Sequence, residues 1–185
     1  MCDKYVVVVP SCMLAPGLQA VRNRSCEQWR IQCLQLLIKY NVDVIPFSCT
    51  ESAFCGYEKG LQRKPHGIDY YCALEEYETH CAIYSDVSAE QIAALIKKGY
   101  YLVAIMGIEH SPSCAVNYLY SHSGTQKRSG LFMEKLKNKL KQVVSEDVYI
   151  GINRRHPKKA IYVLQGRLQA IITAKEEGVT GDDYL

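Results

Sequence analysis

Hydrophobic positions along the chain gather into short β-rich runs, with segments of helical period between them. "KYVVVV" (4–9), "VDVIPFS" (42–48), "YYLVAIMGI" (100–108) and "VYIGIN" (148–153) have the length and residue types of strands. The third run does not alternate, which predicts burial on both faces. A helix is predicted over 23–40, beginning near Asn23, with Trp29, Cys33, Leu36, Leu37 and Tyr40 as its apolar positions. "SAEQIAALIKKG" predicts a second helix, with Ser88 as N-cap, Gln91 completing a capping box and Gly99 as the stop. Two further helices are predicted from "GLFMEKLKNKLKQVV" (130–144) and from 157–178, with Pro157 near the first turn of the latter. Residues 50–67 read as a long loop, followed by helical or irregular structure to about residue 82. The tail from Val179 is expected to fray.

Strands that alternate with helices predict an α/β chain: one doubly wound, Rossmann-like domain over residues 1–185 with a mainly parallel sheet. Ligands of such sheets sit beyond the carboxyl ends of the strands, where strand order reverses. Three strands end alike here, each in a proline and a Ser-Cys pair. "VPSC" ends at Cys12, "IPFSC" at Cys49 and "EHSPSC" at Cys114. Parallel strands carry these ends to one edge, so the three thiols are expected to converge.

Composition narrows the chemistry. With 48% hydrophobic and 22% charged residues the chain is ordinary for a globular protein, and a net charge of +3 does not argue for nucleic acid as a partner. The apolar runs are too short to span a bilayer or to form a signal-peptide core, so the expected location is the cytoplasm, with no membrane partner. Nine cysteines, an odd number, then argue against a disulfide framework. Cys26, Cys33, Cys72 and Cys81 are read as packing residues. For the converging trio, the candidates are an iron–sulfur cluster with one iron left open, a zinc ion with three sulfurs and water, or three unrelated buried thiols.

"SCMLA" (11–15), "SCTE" (48–51) and "SPSC" (111–114) resemble, in order and in strand context, the three motifs of the thiouracil desulfidase family, formerly a domain of unknown function. The likeness runs over roughly residues 5–145. Ala15, Thr50 and Ala115 stand where the family has Gly, Pro and Gly, and the larger C-terminal domain of some relatives is lacking. The chain therefore resembles a short, divergent relative.

The resemblance implies a [4Fe-4S] cluster held by Cys12, Cys49 and Cys114, and hydrolytic, non-redox cleavage of a C–S bond in a thiolated nucleobase or similar small thiocarbonyl. Glu51 matches the family's acid/base residue, with a turn or helix cap as its plainer role. Ser111 matches the first serine of the third motif and would orient substrate or water; Ser113 is a further substrate-binding candidate. Arg63, in "LQRKPHG", is a candidate for an anionic substrate group and Tyr118 for stacking on a base, as is Tyr120. Cys55 is read as a core residue, and the basic residues of "NRRHPKK" (153–159) as a solvated cluster or an anion site. A second class of function is a sulfide carrier, in which the open iron delivers sulfur to a partner such as a tRNA-thiolation enzyme. Glu51 separates the two, because hydrolysis needs a proton-transfer group and storage does not.

Overall fold

A computed structural model of the chain describes residues 4–18, 27–56 and 67–176. Strand β1 (Lys4–Pro10) runs into a one-turn helix α1 (Ser11–Leu14), and α2 (Glu27–Lys39) leads to β2 (Asp43–Phe47). Helices α3 (Thr50–Cys55), α4 (Ile68–Cys72) and α5 (Tyr77–Lys97) precede β3 (Tyr100–Ile108). A small hairpin, β4 (Leu119–Ser121) and β5 (Gly124–Gln126), is followed by α6 (Leu131–Leu140), β6 (Tyr149–Ile152) and α7 (Lys158–Glu176).

The main sheet has the order β2-β1-β3-β6, and every pairing in it is parallel. From β1 the chain steps outward to β2, then crosses to the other side of β1 to lay down β3. Strand order thus reverses between β1 and β3, the place where an open α/β sheet forms its crevice.

Side-chain alternation explains why both faces are covered. Val7 and Val9 of β1 pack with Ala104, Met106 and Ile108 of β3 against Trp29, Cys33 and Leu37 of α2 and Ala160, Leu164 and Leu168 of α7. Val8 and Ile105 point the other way, into Tyr71, Tyr77, Cys81 and Ile92 of α4 and α5 and Phe132, Leu136 and Leu140 of α6. The expected α/β, Rossmann-like fold is therefore present, with helices on both faces of a parallel sheet. Among the described residues, no helix is long and apolar enough to cross a membrane.

Three local expectations change. The helix predicted to follow an N-cap at Ser88 starts instead at Tyr77, with Glu76 ahead of it in the left-handed region at φ 63°. Ser88 is not a cap: it is buried, on the same face as Tyr77, Cys81, Ser85 and Ile92. A tyrosine, a cysteine and two serines make up most of that face, and their mixed polarity conceals its helical period. Gly99 does end the helix, at φ 79°. The loop predicted from residue 50 begins instead as helix α3, directly after Cys49. The β4–β5 hairpin has strands of three residues and no expectation matched it. The expected helix start near Asn23, Cys26 and the tail lie outside the described residues.

Candidate functional site

Each of the three cysteines stands within a few residues of a strand's carboxyl end. Cys12 is in the single turn of α1 after β1, Cys49 immediately precedes α3 after β2, and Cys114 lies in the loop after β3. The helix α3 has Cys49 at its N-cap position without a side-chain cap bond, and Glu51 in its first turn. A small cleft is lined by all three cysteines together with Pro10, Phe47, Glu51, Ser113 and Phe132. Phe47 and Phe132 stack there, with ring centroids 4.7 Å apart, and give the cleft an apolar wall.

The serines of the repeated Ser-Cys motifs tie these ends together. Ser11 Oγ accepts the Cys49 N–H at 3.2 Å, joining the end of β1 to the end of β2. Ser111 Oγ accepts the N–H groups of Ser113 (3.2 Å) and Cys114 (3.1 Å), the local side-chain-to-backbone bonding that makes serine a turn former. The loop is fastened further by α6, whose first N–H groups lack partners within the helix. Leu131 N–H donates to Pro112 O at 3.0 Å and Met133 N–H to Ser113 O at 3.1 Å.

Glu51 is the polar centre. Its Oε1 accepts from Ser111 Oγ at 2.8 Å and from Ser113 Oγ at 2.9 Å, and its Oε2 accepts from Tyr71 OH at 3.4 Å. These bonds draw the carboxylate towards the third motif, so capping of α3 does not describe it. Ser113 also pairs with Tyr77 OH at 2.5 Å, both groups being buried. Ser113 has one proton and spends it on Glu51, so Tyr77 is the donor in that pair. Burial also pushes the Tyr77 phenol well above its ordinary pKa, which keeps it protonated.

The thiols feel one another. Burial raises the Cys12 pKa well above the ordinary thiol value, and repulsion from Cys114, then Cys49, adds to it, while Arg154 opposes it. Burial pushes the Cys114 thiol up to about 12, against a lowering hydrogen bond from Ser111, with Glu51 and Cys49 raising it. Three thiolates without a cation are thus disfavoured here. Among the described residues, no disulfide links the cysteines, and no group of three or more His, Cys, Asp or Glu side chains is set to hold a single metal ion.

The remaining candidates are dispersed. Tyr118 and Tyr120 present exposed rings beyond the Ser-Pro-Ser-Cys loop. Cys55, at the end of α3, packs at the edge of the core on the α5–α6 face, while Cys33 and Cys81 are fully buried in opposite faces and Cys72 is exposed. Within the basic cluster, Arg154 is half-buried and acts on Cys12, whereas Arg155, His156, Lys158 and Lys159 are exposed. Arg63 lies outside the described residues. Sequence reasoning missed Tyr71 and Tyr77, which reach Glu51 directly and through Ser113; a tyrosine-rich segment offers no signal that marks these two among fourteen.

No protein-family model, curated protein or solved structure significantly matches the chain.

Proposed function

We propose that this chain is a cytoplasmic [4Fe-4S]-dependent desulfidase, removing sulfur hydrolytically from a thiolated nucleobase or similar small thiocarbonyl, as its motif resemblance to the thiouracil desulfidases suggests. The observation that carries the reading is the meeting of Cys12, Cys49 and Cys114 around one cleft at the reversal of strand order, with Glu51 bonded to the serines of the third motif.

The donor set suits the group. The three cysteines supply sulfur only, and the thiolates of a cluster bind separate irons, so they need not meet at one point as the ligands of a single ion must. Burial and mutual repulsion disfavour these thiolates in the absence of positive charge, and irons would supply it. Cys12, Cys49 and Cys114 would hold the cluster, which when bound offers a Lewis-acidic iron that polarises a thiocarbonyl and accepts the departing sulfide.

The chain's own residues have separate tasks in this reading. An ionised Glu51 only accepts hydrogen bonds, and the hydroxyls of Ser111, Ser113 and Tyr71 fix its direction. Glu51 takes a proton from the attacking water at a carboxylate oxygen and returns it to the departing group. Ser111, half-buried beside it, spends its proton on Glu51 and its lone pairs on the Ser113 and Cys114 N–H groups, so it aims the carboxylate and holds the loop. Phe47 and Phe132 keep bulk water from the cleft.

The test is turnover of 2-thiouracil by anaerobically reconstituted wild type and Glu51→Gln. Loss of a positioned acid/base group lowers kcat by about 100-fold or more, with iron content unchanged. Full turnover by the variant defeats the role of Glu51. Sulfide retained by wild type without turnover of any thiolated base supports a carrier instead.

A further inference from the structure

The loop that bears Ser111, Ser113 and Cys114 is held at its middle by α6, and its two ends have a separate fastening that uses a buried acid. Glu109 follows β3, two residues before the third motif, and is only 7% exposed. Burying a carboxylate is costly unless hydrogen bonds fill its oxygens. Here Oε1 accepts Asn117 Nδ2 at 2.8 Å, and Oε2 accepts the backbone N–H groups of Asn117 at 3.2 Å and Tyr118 at 2.9 Å. All three donors lie eight or nine residues downstream, so one side chain bridges the two ends of the loop. Backbone bonds finish the closure: His110 N–H donates to Tyr118 O at 2.7 Å, and Glu109 N–H to Ile152 O at 2.9 Å.

The neighbouring strand makes room for this acid. A Cβ at Gly151, in β6, would lie 1.7 Å from Glu109 Oε1 and 3.0 Å from Asn117 Nδ2. The carboxylate therefore occupies the space of a side chain at position 151, and any larger residue there must expel it.

We propose that Glu109, seated against Gly151, is a positioning residue for the thiol site, clasping the Ser111–Cys114 loop so that Ser111, Ser113 and Cys114 keep their places opposite Glu51. It touches no reacting atom. The catalytic meaning of the loop rests on the desulfidase reading, while the clasp itself does not.

The experiment uses the full chain, iron-free and reduced, with wild type, Glu109→Gln, Gly151→Ala and the double variant. Glutamine places an NH2 group where an oxygen accepted N–H bonds, and alanine at 151 displaces the carboxylate, approaching the loop otherwise only at Asn117 Nδ2, away from Ser111, Ser113 and Cys114. The rate of alkylation by iodoacetamide is read residue by residue by mass spectrometry. Cys114 is expected to react about tenfold faster in each single variant, the factor that loss of one hydrogen bond to a charged group brings. Cys33 and Cys81, both 0% exposed, should stay protected. The double variant should be no faster than the faster single one, since both remove the same clasp. In iron-loaded protein, kcat should fall with KM little changed. An unchanged Cys114 rate in both variants overturns the proposal, as does a rise shared by Cys33 and Cys81, which would make Glu109 a support of the whole fold. A wild type without turnover defeats the desulfidase reading and leaves the alkylation rates to decide the clasp.

Discussion

Removing the Tyr77 hydroxyl tests the geometry around Glu51 without assuming any activity. Tyr77 is 0% exposed and Ser113 is 2% exposed, and their hydroxyls meet at 2.5 Å. Phenylalanine at position 77 keeps the ring against Phe54 (5.1 Å) and Tyr71 (4.9 Å), so no cavity of ring size opens. What is lost is one donor, leaving a buried serine oxygen with an empty acceptor site while its proton still serves Glu51. Such an unmatched buried group costs about 1–3 kcal/mol. A loss of about 2 kcal/mol lowers Tm by about 4–8 °C in a chain of this length. Urea unfolding followed by the fluorescence of Trp29, the single tryptophan and a buried one, measures the change. Tyr162→Phe is the control, since Tyr162 is 78% exposed and its change should stay within about 0.5 kcal/mol. If Tyr77→Phe is as stable as wild type, the hydroxyl does not form the buried bond, and the ordered chain from Tyr77 through Ser113 to Glu51 is wrong.

Other expectations follow from burial and helix continuity. Ala89→Pro would be tolerated if Ser88 capped a helix, because proline suits a first helical position; inside the continuous α5 it should cost about 3 kcal/mol or more in a denaturation experiment. Leu164→Ala, at a fully buried position of α7, should cost about 2–5 kcal/mol by the same measurement, and a loss under about 1 kcal/mol would contradict the packing of α7 on the sheet. Burial holds the His80 pKa below its ordinary value, so the unfolded chain takes up its proton first as pH falls. The stability contributed by neutral His80 is therefore complete above the unfolded pKa and declines as pH drops through about 6.5 towards the folded value. Tm should be lower at pH 5 than at pH 7.5, and His80→Phe should reduce that slope; an identical slope in the variant removes His80 as its source.

The four strands of the sheet were readable because buried parallel strands are compact apolar runs, and Val6–Val9 and Val103–Ile108 have no competing helical period. The repeated Ser-Cys endings followed from the same cause, since parallel strands deliver their carboxyl ends to one edge. The first half of α5 was not readable, because Ser85 and Ser88 stand where an apolar face would be expected and a serine before Gln91 imitates a cap. Helix α3 was concealed by its shortness: six residues with Thr, Ser and Cys carry no period. At the site, the cysteines and Glu51 could be named from spacing and motif. The tyrosines that orient Glu51, and the pairing of Glu109 with Gly151, depend on contacts between elements far apart in the chain. Only folding brings those together.

The central claim is that three strand-end cysteines hold an iron–sulfur cluster, and an anaerobic iron and sulfide assay on wild type and Cys114→Ala addresses it most directly. The account predicts about four irons and a matching amount of sulfide per chain of wild type, with both sharply reduced in the variant. A wild type that takes up no iron after reconstitution, or a Cys114→Ala protein that holds as much as wild type, would contradict it.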